Sequence, residues 1–590
     1  MREKQKTENK PQNFLQGALI LTLATTLVKV FGAVFKIAIP PFFGNEALGK
    51  FSIAYSIYVI LYVMAVAGIP TAISRMVSEC VIEGRYQDIV KIRKIATRVL
   101  MIMGVLFTIV QILVAAPYAS SVKMEDATLS IIMLAPAIFF LCMMSSYRGY
   151  YNGLRNMVPT GVSQVVEVVT KIFFGVGLGL IVRNMGLNEY ATSGTVFGRV
   201  VPTNIPPEEL EATLLQMMSS YTSAAIILGV TISTAMGFLY LWWYSKKHGL
   251  GFSKEALRNS YPETPSKVLS RQLFSIAIPI CLGAIVSSIS SSIDELTIAA
   301  RLTEAVAKDS GIMMEKYGSI LLSSQTADDL PQSLYSSYTL ITGFFQLVPS
   351  FTTGFATSAL PSITAAWVGG NKRELRSNVD VVIKLTNLLA MPVMFLFIMI
   401  PEPILHFAYG SNRAIPVAAS LLALFGVSIV MVSIASPINA MLQGVGLIKL
   451  PVIYMGIGAL LKYTCNYFLM SIPAIGVSGA AIGTIVCYLF ITIAGLISLL
   501  KRTQITIDIR SVFVKPMIAG LFCGVAAWGS DLIFSSFLSG RIVFIIDAII
   551  CAIVYLLALF LIGGISKNEI IMLPKGKNIA KTLEKHGILR

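Results

Sequence analysis

Apolar runs of twenty or more residues follow one another from Phe14 to about Gly563, separated by short polar stretches. Each is long enough to cross roughly 30 Å of hydrocarbon as a helix. The pattern predicts fourteen spans: 14–39, 51–79, 95–117, 127–147, 158–182, 221–245, 272–300, 335–363, 380–400, 415–442, 450–472, 475–500, 512–536 and 541–563. The first run follows a basic stretch (Arg2, Lys4, Lys6, Lys10), as the apolar part of a signal peptide would. It is too long for that role and further spans follow at once, so it is expected to stay as the first span. The predicted fold class is an all-α integral membrane protein of about fourteen transmembrane helices.

The pattern is also doubled. Pro70 and Pro361, Gly153 and Gly444, and Lys171 and Lys462 recur at one spacing of 291 residues. Six spans precede the second copy, so both copies enter the membrane from the same side as parallel repeats. The predicted organisation is an N-lobe over 1–245, a linker over 246–270, a C-lobe over 271–500, two appended helices over 501–565 and a basic tail over 566–590. The spacing has a limit. Carried back to the first span it puts Lys29 and Lys36 opposite Ile320 and Ala327, whereas matching span starts pairs them with Ser287 and Asp294.

Composition agrees with the pattern: 55% of the 590 residues are hydrophobic, 13% are charged and the mean hydropathy is +0.76. A soluble fold could not cover its surface with so little polar material. Most of the 46 Lys and Arg fall in loops that are cytoplasmic if the N-terminus is inside, which places both termini there. The net charge of +16 then lies beside the anionic inner leaflet, and nucleic acid is not an expected partner. The seven cysteines read as small apolar residues of helices, and the three histidines are too scattered for a metal site. No cofactor is expected. Two loops, 183–220 and 301–333, exceed what connection needs, and each contains a stretch that could form a short interfacial helix.

Gly44 to Lys50 matches the glycine-rich phosphate loop of nucleotide hydrolases, but Phe51 follows where Ser or Thr would hold magnesium and no strand precedes it. ATP-driven pumping and enzymatic chemistry are therefore not expected. The remaining candidates are ionisable residues within apolar spans, which are costly unless they face a wet cavity or a partner. Lys29 and Lys36 lie two turns apart, about 10 Å along one face of the first helix. Glu167 and Lys171 stand at i and i+4, where they could form an ion pair with no substrate role. Lys462 has no carboxylate one turn earlier, and Asn466 could share its polar face. Asp294 and Glu295 fall late in the seventh span and are candidates for coupling an ion, while Arg75 and Glu79 could anchor headgroups or gate the cytoplasmic end of the second span. The midspan members of this set are mainly lysines, and a cationic cavity suits an anionic cargo such as a pyrophosphate headgroup. Lys171 and Lys462, the symmetric pair, are the candidates to face each other across a cavity between the lobes.

The stretches Gly49 to Tyr58 (GKFSIAYSIY), Ala67 to Glu79 (AGIPTAISRMVSE), Arg148 to Glu167 (RGYYNGLRNMVPTGVSQVVE) and Glu402 to Gly410 (EPILHFAYG) resemble the polysaccharide-transporter branch of the MOP exporter superfamily. The similarity is to its stage V sporulation protein B and Gram-positive lipid II flippase members, over nearly the whole chain. The resemblance implies a two-lobed, V-shaped transporter of the bacterial cytoplasmic membrane. By alternating access it would move an undecaprenyl-pyrophosphate-linked peptidoglycan precursor, lipid II, for the cell wall or for sporulation. It also implies that basic residues of the first helix line the cavity; Lys29 and Lys36 stand where arginines are usual, so the geometry of a pyrophosphate would be read less strictly. Members of the Gram-negative type also use a basic residue early in the eighth helix, and Tyr335 to Phe345 contains none. Expected partners are an anionic lipid-linked sugar, membrane lipids, a coupling cation or the membrane potential, and cell-wall synthesis proteins. The alternatives are a flippase for another lipid-linked oligosaccharide or polysaccharide unit, an ion-coupled multidrug antiporter of the same superfamily, or a membrane scaffold docking through the two long loops.

Overall fold

The computed structural model describes residues 14–564 apart from 155, 203–204, 250–251, 253–256, 259, 261–263, 324, 448 and 539. Within helices, the side chains of 14–26, 29, 279, 283, 286–287, 290–291, 353–362, 365 and 540 also lie outside the described residues. So do the basic tail and the basic stretch before the first span.

The first half consists of α1 (Phe14–Phe43), α2 (Asn45–Val66), α3 (Ile69–Ile82), α4 (Tyr86–Ser121), α5 (Thr128–Gly153), α6 (Val158–Ser193), and α7 (Pro207–His248). After the linker come α8 (Ser266–Ser291), α9 (Ile293–Lys308), α10 (Ser310–Tyr317), α11 (Leu330–Val368), α12 (Lys372–Met399), α13 (Pro401–Tyr409), α14 (Ile415–Gly444), α15 (Lys449–Leu469) and α16 (Ser478–Thr503). Two further helices, α17 (Lys515–Phe534) and α18 (Gly540–Leu561), end the described chain. Ten helices or helix pairs among the described residues are long and apolar enough to cross a membrane. The other four expected spans, at 14–39, 272–300, 335–363 and 450–472, are helical as well. The protein is an all-α, multi-pass membrane protein.

Two expected spans are broken. Gly68, at φ +82°, separates α2 from α3, and a Cβ there would collide with the Ala277 carbonyl of α8. The position requires both the left-handed backbone and the missing side chain. The seventh span is not one helix over 272–300: it stops at Ser291, and Asp294 and Glu295 open α9. Ser292 stands at the break, and serine is a residue type whose hydroxyl competes with the helical ladder.

One of the two long loops also differs from expectation. Among the described residues of 183–220 there is no short interfacial helix; α6 runs on to Ser193, a two-residue antiparallel hairpin follows (β1, Thr195–Val196; β2, Arg199–Val200), and Glu208 and Glu209 form the first turn of α7. The second loop does contain a short helix, α10, capped by the Asp309 side chain accepting from the Ile312 amide at 3.0 Å.

Contacts divide the chain into two units, one of 1–303 with 321–336 and one of 304–320 with 337–590. In the first of these α8 packs with α2 and α3. In the first unit α6 and α7 touch backbone to backbone at Gly175 and Gly229. Polar links join its helices: Gln111 Nε2 donates to the Ile131 carbonyl at 2.9 Å, and Thr231 Oγ1 to that of Met133 at 2.7 Å. In the second, Asn387 Nδ2 donates to the Val512 carbonyl at 2.8 Å and Tyr409 to that of Leu340 at 2.7 Å. Exposed Ile102, Val105, Leu106, Ile109 and Leu113 give α4 an apolar outer face, as lipid contact demands. Cys523 and Cys551, expected as separate apolar residues, form a disulfide between α17 and α18. Helix packing brings their Cα atoms to 4.7 Å, a separation not legible in their 28-residue spacing.

Candidate functional site

Phe51, Tyr55, Tyr58 and Tyr62 recur every three or four residues along α2, so they share one face. Their rings form a ladder: Phe51 stacks on Tyr55 at 5.7 Å, Tyr55 meets Tyr58 at 5.4 Å, and Tyr58 stacks on Tyr62 at 6.1 Å. The cationic residues of the neighbouring helices collect on this ladder.

At one end, Lys171 of α6 lies over Phe35, Phe51 and Tyr55, its Nζ 5.1, 5.9 and 5.3 Å from the three ring centroids. Lys36 of α1 approaches the same Tyr55 ring at 5.9 Å. The two ammonium groups are within electrostatic reach of each other, and Glu295 is within reach of Lys36. A ring face stabilises a cation without forming an ion pair with it. Lys29 lies on the same helix as Lys36, with its side chain outside the described residues.

At the other end Glu167 makes its ion pair with Arg148 of α5, Nη2 to Oε2 at 3.0 Å, and not with Lys171. Arg148 also donates from Nε to Ser163 at 3.0 Å, which fixes the guanidinium between α5 and α6. The planar fork outcompetes an ammonium for a carboxylate that both could reach.

The second unit holds Lys462 and Asn466 one turn apart on the buried face of α15, 4% and 0% exposed, where Asn466 abuts Gly483 of α16. Of the two lysines at the 291-residue spacing, Lys171 lies over aromatic rings and Lys462 is buried on α15. Lys384 of α12, 5% exposed, is a further buried lysine of this unit. Asp294 is 3% exposed in the first turn of α9, where the helix dipole favours negative charge. Arg75 and Glu79 pair across one turn at 2.9 Å on an exposed face.

Sequence reasoning missed Arg148, Lys384 and the aromatic ladder. The three- and four-residue spacing of Phe51, Tyr55, Tyr58 and Tyr62 was a usable signal for the last. Lys50, set aside with the phosphate-loop match, is a buried structural cation: its Nζ is 2.7 Å from Ser219, 2.9 Å from Ser220 and 3.3 Å from Asp126.

A family model described as polysaccharide biosynthesis protein matches residues 14–201, and the MatE model matches residues 321–468. In Bacillus subtilis (strain 168), lipid II flippase MurJ is 23% identical over 575 residues, covering 94% of this chain and 96% of the relative. Stage V sporulation protein B of the same organism is 24% identical over 501 residues, covering 85% and 86%. Among solved structures, lipid II flippase MurJ in an inward closed conformation gives a TM-score of 0.61 at 14% identity over 92% of this chain and 98% of that one. An inward-facing multidrug resistance MATE family transporter of the MOP superfamily gives 0.56 at 15% identity over 82% and 98%. These similarities include a flippase and a multidrug transporter, and together they support membership in the MOP exporter superfamily.

Proposed function

We propose that this transporter is a flippase of the bacterial cytoplasmic membrane, with both termini inside, that moves lipid II from the inner to the outer leaflet. The observation that carries the reading is the placement of Lys36 and Lys171 over one tyrosine ring while Arg148 takes the Glu167 carboxylate. Two lysines brought to one ring within an apolar helical layer suit a pyrophosphate, which needs cationic donors in a place where water is scarce. Lys29, two turns before Lys36, and Lys462 with Asn466 in the second unit are proposed to meet the same headgroup along its path. The repeats, 1–245 and 271–500, are proposed as the lobes of an alternating-access cycle, with Arg75 and Glu79 at its cytoplasmic end and Asp294 and Glu295 as coupling acids. The 23% identity to lipid II flippase MurJ of Bacillus subtilis over most of both chains supports that cargo over another lipid-linked oligosaccharide.

Complementation tests the proposal. Expression in a strain depleted of its own lipid II flippase is expected to restore growth, and the Lys36→Gln, Lys171→Gln double variant is expected to fail at equal protein level. Growth restored by the double variant would contradict it. Drug resistance conferred by the chain and lost in Glu295→Gln would favour a multidrug antiporter instead.

A further inference from the structure

The α17–α18 hairpin has no part in the cargo site, yet it carries a carboxylate in its interior. Asp547 of α18 is 0% exposed, and neither of its oxygens makes a hydrogen bond. Facing it from α17 is Ser530, 5% exposed, whose Oγ is also without a hydrogen-bond partner, and next to Ser530 is Asp531. Asp531 is in turn within electrostatic reach of Glu402 at the start of α13.

The other titratable groups of the surrounding helices are engaged elsewhere. His406 of α13 pairs through Nδ1 with the Gly410 carbonyl at 3.0 Å, and Arg541 of α18 lies beside Gly410. Tyr555 of α18 donates to the Leu388 carbonyl of α12 at 2.7 Å. One turn from Asp547 the helices are joined by the Cys523–Cys551 disulfide, so the two facing polar groups cannot easily part. The one charged group that acts on Asp547 electrostatically among the described residues is a further acid, Asp531.

A bare carboxylate buried among apolar side chains is strongly penalised, and a second acid beside it adds repulsion. A sodium or calcium ion would need about six oxygen ligands. The interface offers the two Asp547 oxygens, one serine and at most the two Asp531 oxygens, fewer than six, since helical carbonyls are held in their own ladders. A proton needs a single acceptor, and Ser530 supplies it.

We propose that Asp547 is a proton-binding site of the α17–α18 hairpin, its carboxyl held neutral and donating to Ser530 Oγ, with Asp531 and Glu402 as the route by which the proton exchanges with water. On release the proton passes from the Asp547 carboxyl to the Asp531 carboxylate and thence to water. The charge left on Asp547 loosens the hairpin.

Infrared difference spectroscopy of the full-length protein in lipid, over the pH range in which it stays folded, tests this. The expected result is a protonated-carboxyl band that titrates away as pH rises, is absent in Asp547→Asn, and shifts in Ser530→Ala. Asp531→Asn keeps the band and slows its exchange in deuterated buffer. Thermal stability, read in parallel, falls with rising pH in the parent and stays level in Asp547→Asn. A band unchanged in Asp547→Asn, or no band at any pH, overturns the proposal. Loss of the band on replacing choline chloride with sodium chloride at fixed pH also overturns it, by showing a metal-cation site.

Discussion

Arg148 holds the Glu167 carboxylate at 3.0 Å from the neighbouring helix, and Lys171, one turn beyond Glu167 on its own helix, turns to the rings of Phe35, Phe51 and Tyr55. The pair is mostly shielded, with side chains 16% and 26% exposed, so removing one partner strands a charge. Glu167→Gln is expected to cost about 1 to 3 kcal/mol of stability, measured as a lower unfolding temperature in detergent. The exchanged pair, Arg148→Glu with Glu167→Arg, recovers part of it. An unchanged unfolding temperature in Glu167→Gln would mean that the pair holds nothing together.

Tyr55 is the ring both lysines share, and a cation–π contact is worth about 0.5 to 2 kcal/mol. Tyr55→Phe keeps the ring and is expected to transport at near the parental rate. Tyr55→Leu is expected to lose several-fold, with protein level unchanged. Equal rates in the two variants would remove the ring from the account.

Lys50 offers the opposite case, a buried cation already satisfied by Ser219, Ser220 and Asp126. Lys50→Ala removes the donor that joins those three groups and is expected to lower stability by about 1 to 3 kcal/mol. In protein that survives, transport per molecule is expected to match the parent, and ATP is expected to have no effect on either. A transport defect without a stability defect would return Lys50 to the list of functional cations.

Much of the fold was legible because hydropathy reports span length, and the helices follow the apolar runs throughout the described residues. The breaks were harder. Gly68 interrupts a span through its backbone conformation and its collision with α8, and neither is encoded in hydropathy. At Asp294 the acids were legible while their setting was not, since the span reads as continuous in hydropathy although one helix ends at Ser291 and another starts at Ile293. The site was legible by residue type, in that Lys36, Lys171 and Glu167 stood out as charges in apolar runs. Partner choice was not: Arg148 is distant in sequence from Glu167 and won the pairing by approach from another helix. The repeat spacing likewise found Lys171 and Lys462 and could not foretell that one lies over rings and the other is buried on α15.

Gly229 tests the packing that positions Lys171, because a Cβ there would collide with the Gly175 backbone of α6. Gly229→Val is expected to reduce folded yield and unfolding temperature, whereas Gly177→Ala, at a position with open space, leaves both unchanged. Equal behaviour of the two, read by size-exclusion chromatography and thermal melts, would show that the close approach of α6 and α7 is dispensable.

The central claim is that Lys36 and Lys171 together receive a pyrophosphate headgroup. Its most direct test is flipping in proteoliposomes that contain undecaprenyl lipids carrying the same sugar through either a pyrophosphate or a monophosphate. The protein is expected to move the pyrophosphate lipid faster, and the Lys36→Gln, Lys171→Gln double variant to lose about tenfold or more of that rate, as loss of even one charge-assisted contact would give. A double variant that flips the pyrophosphate lipid at the parental rate would contradict the claim.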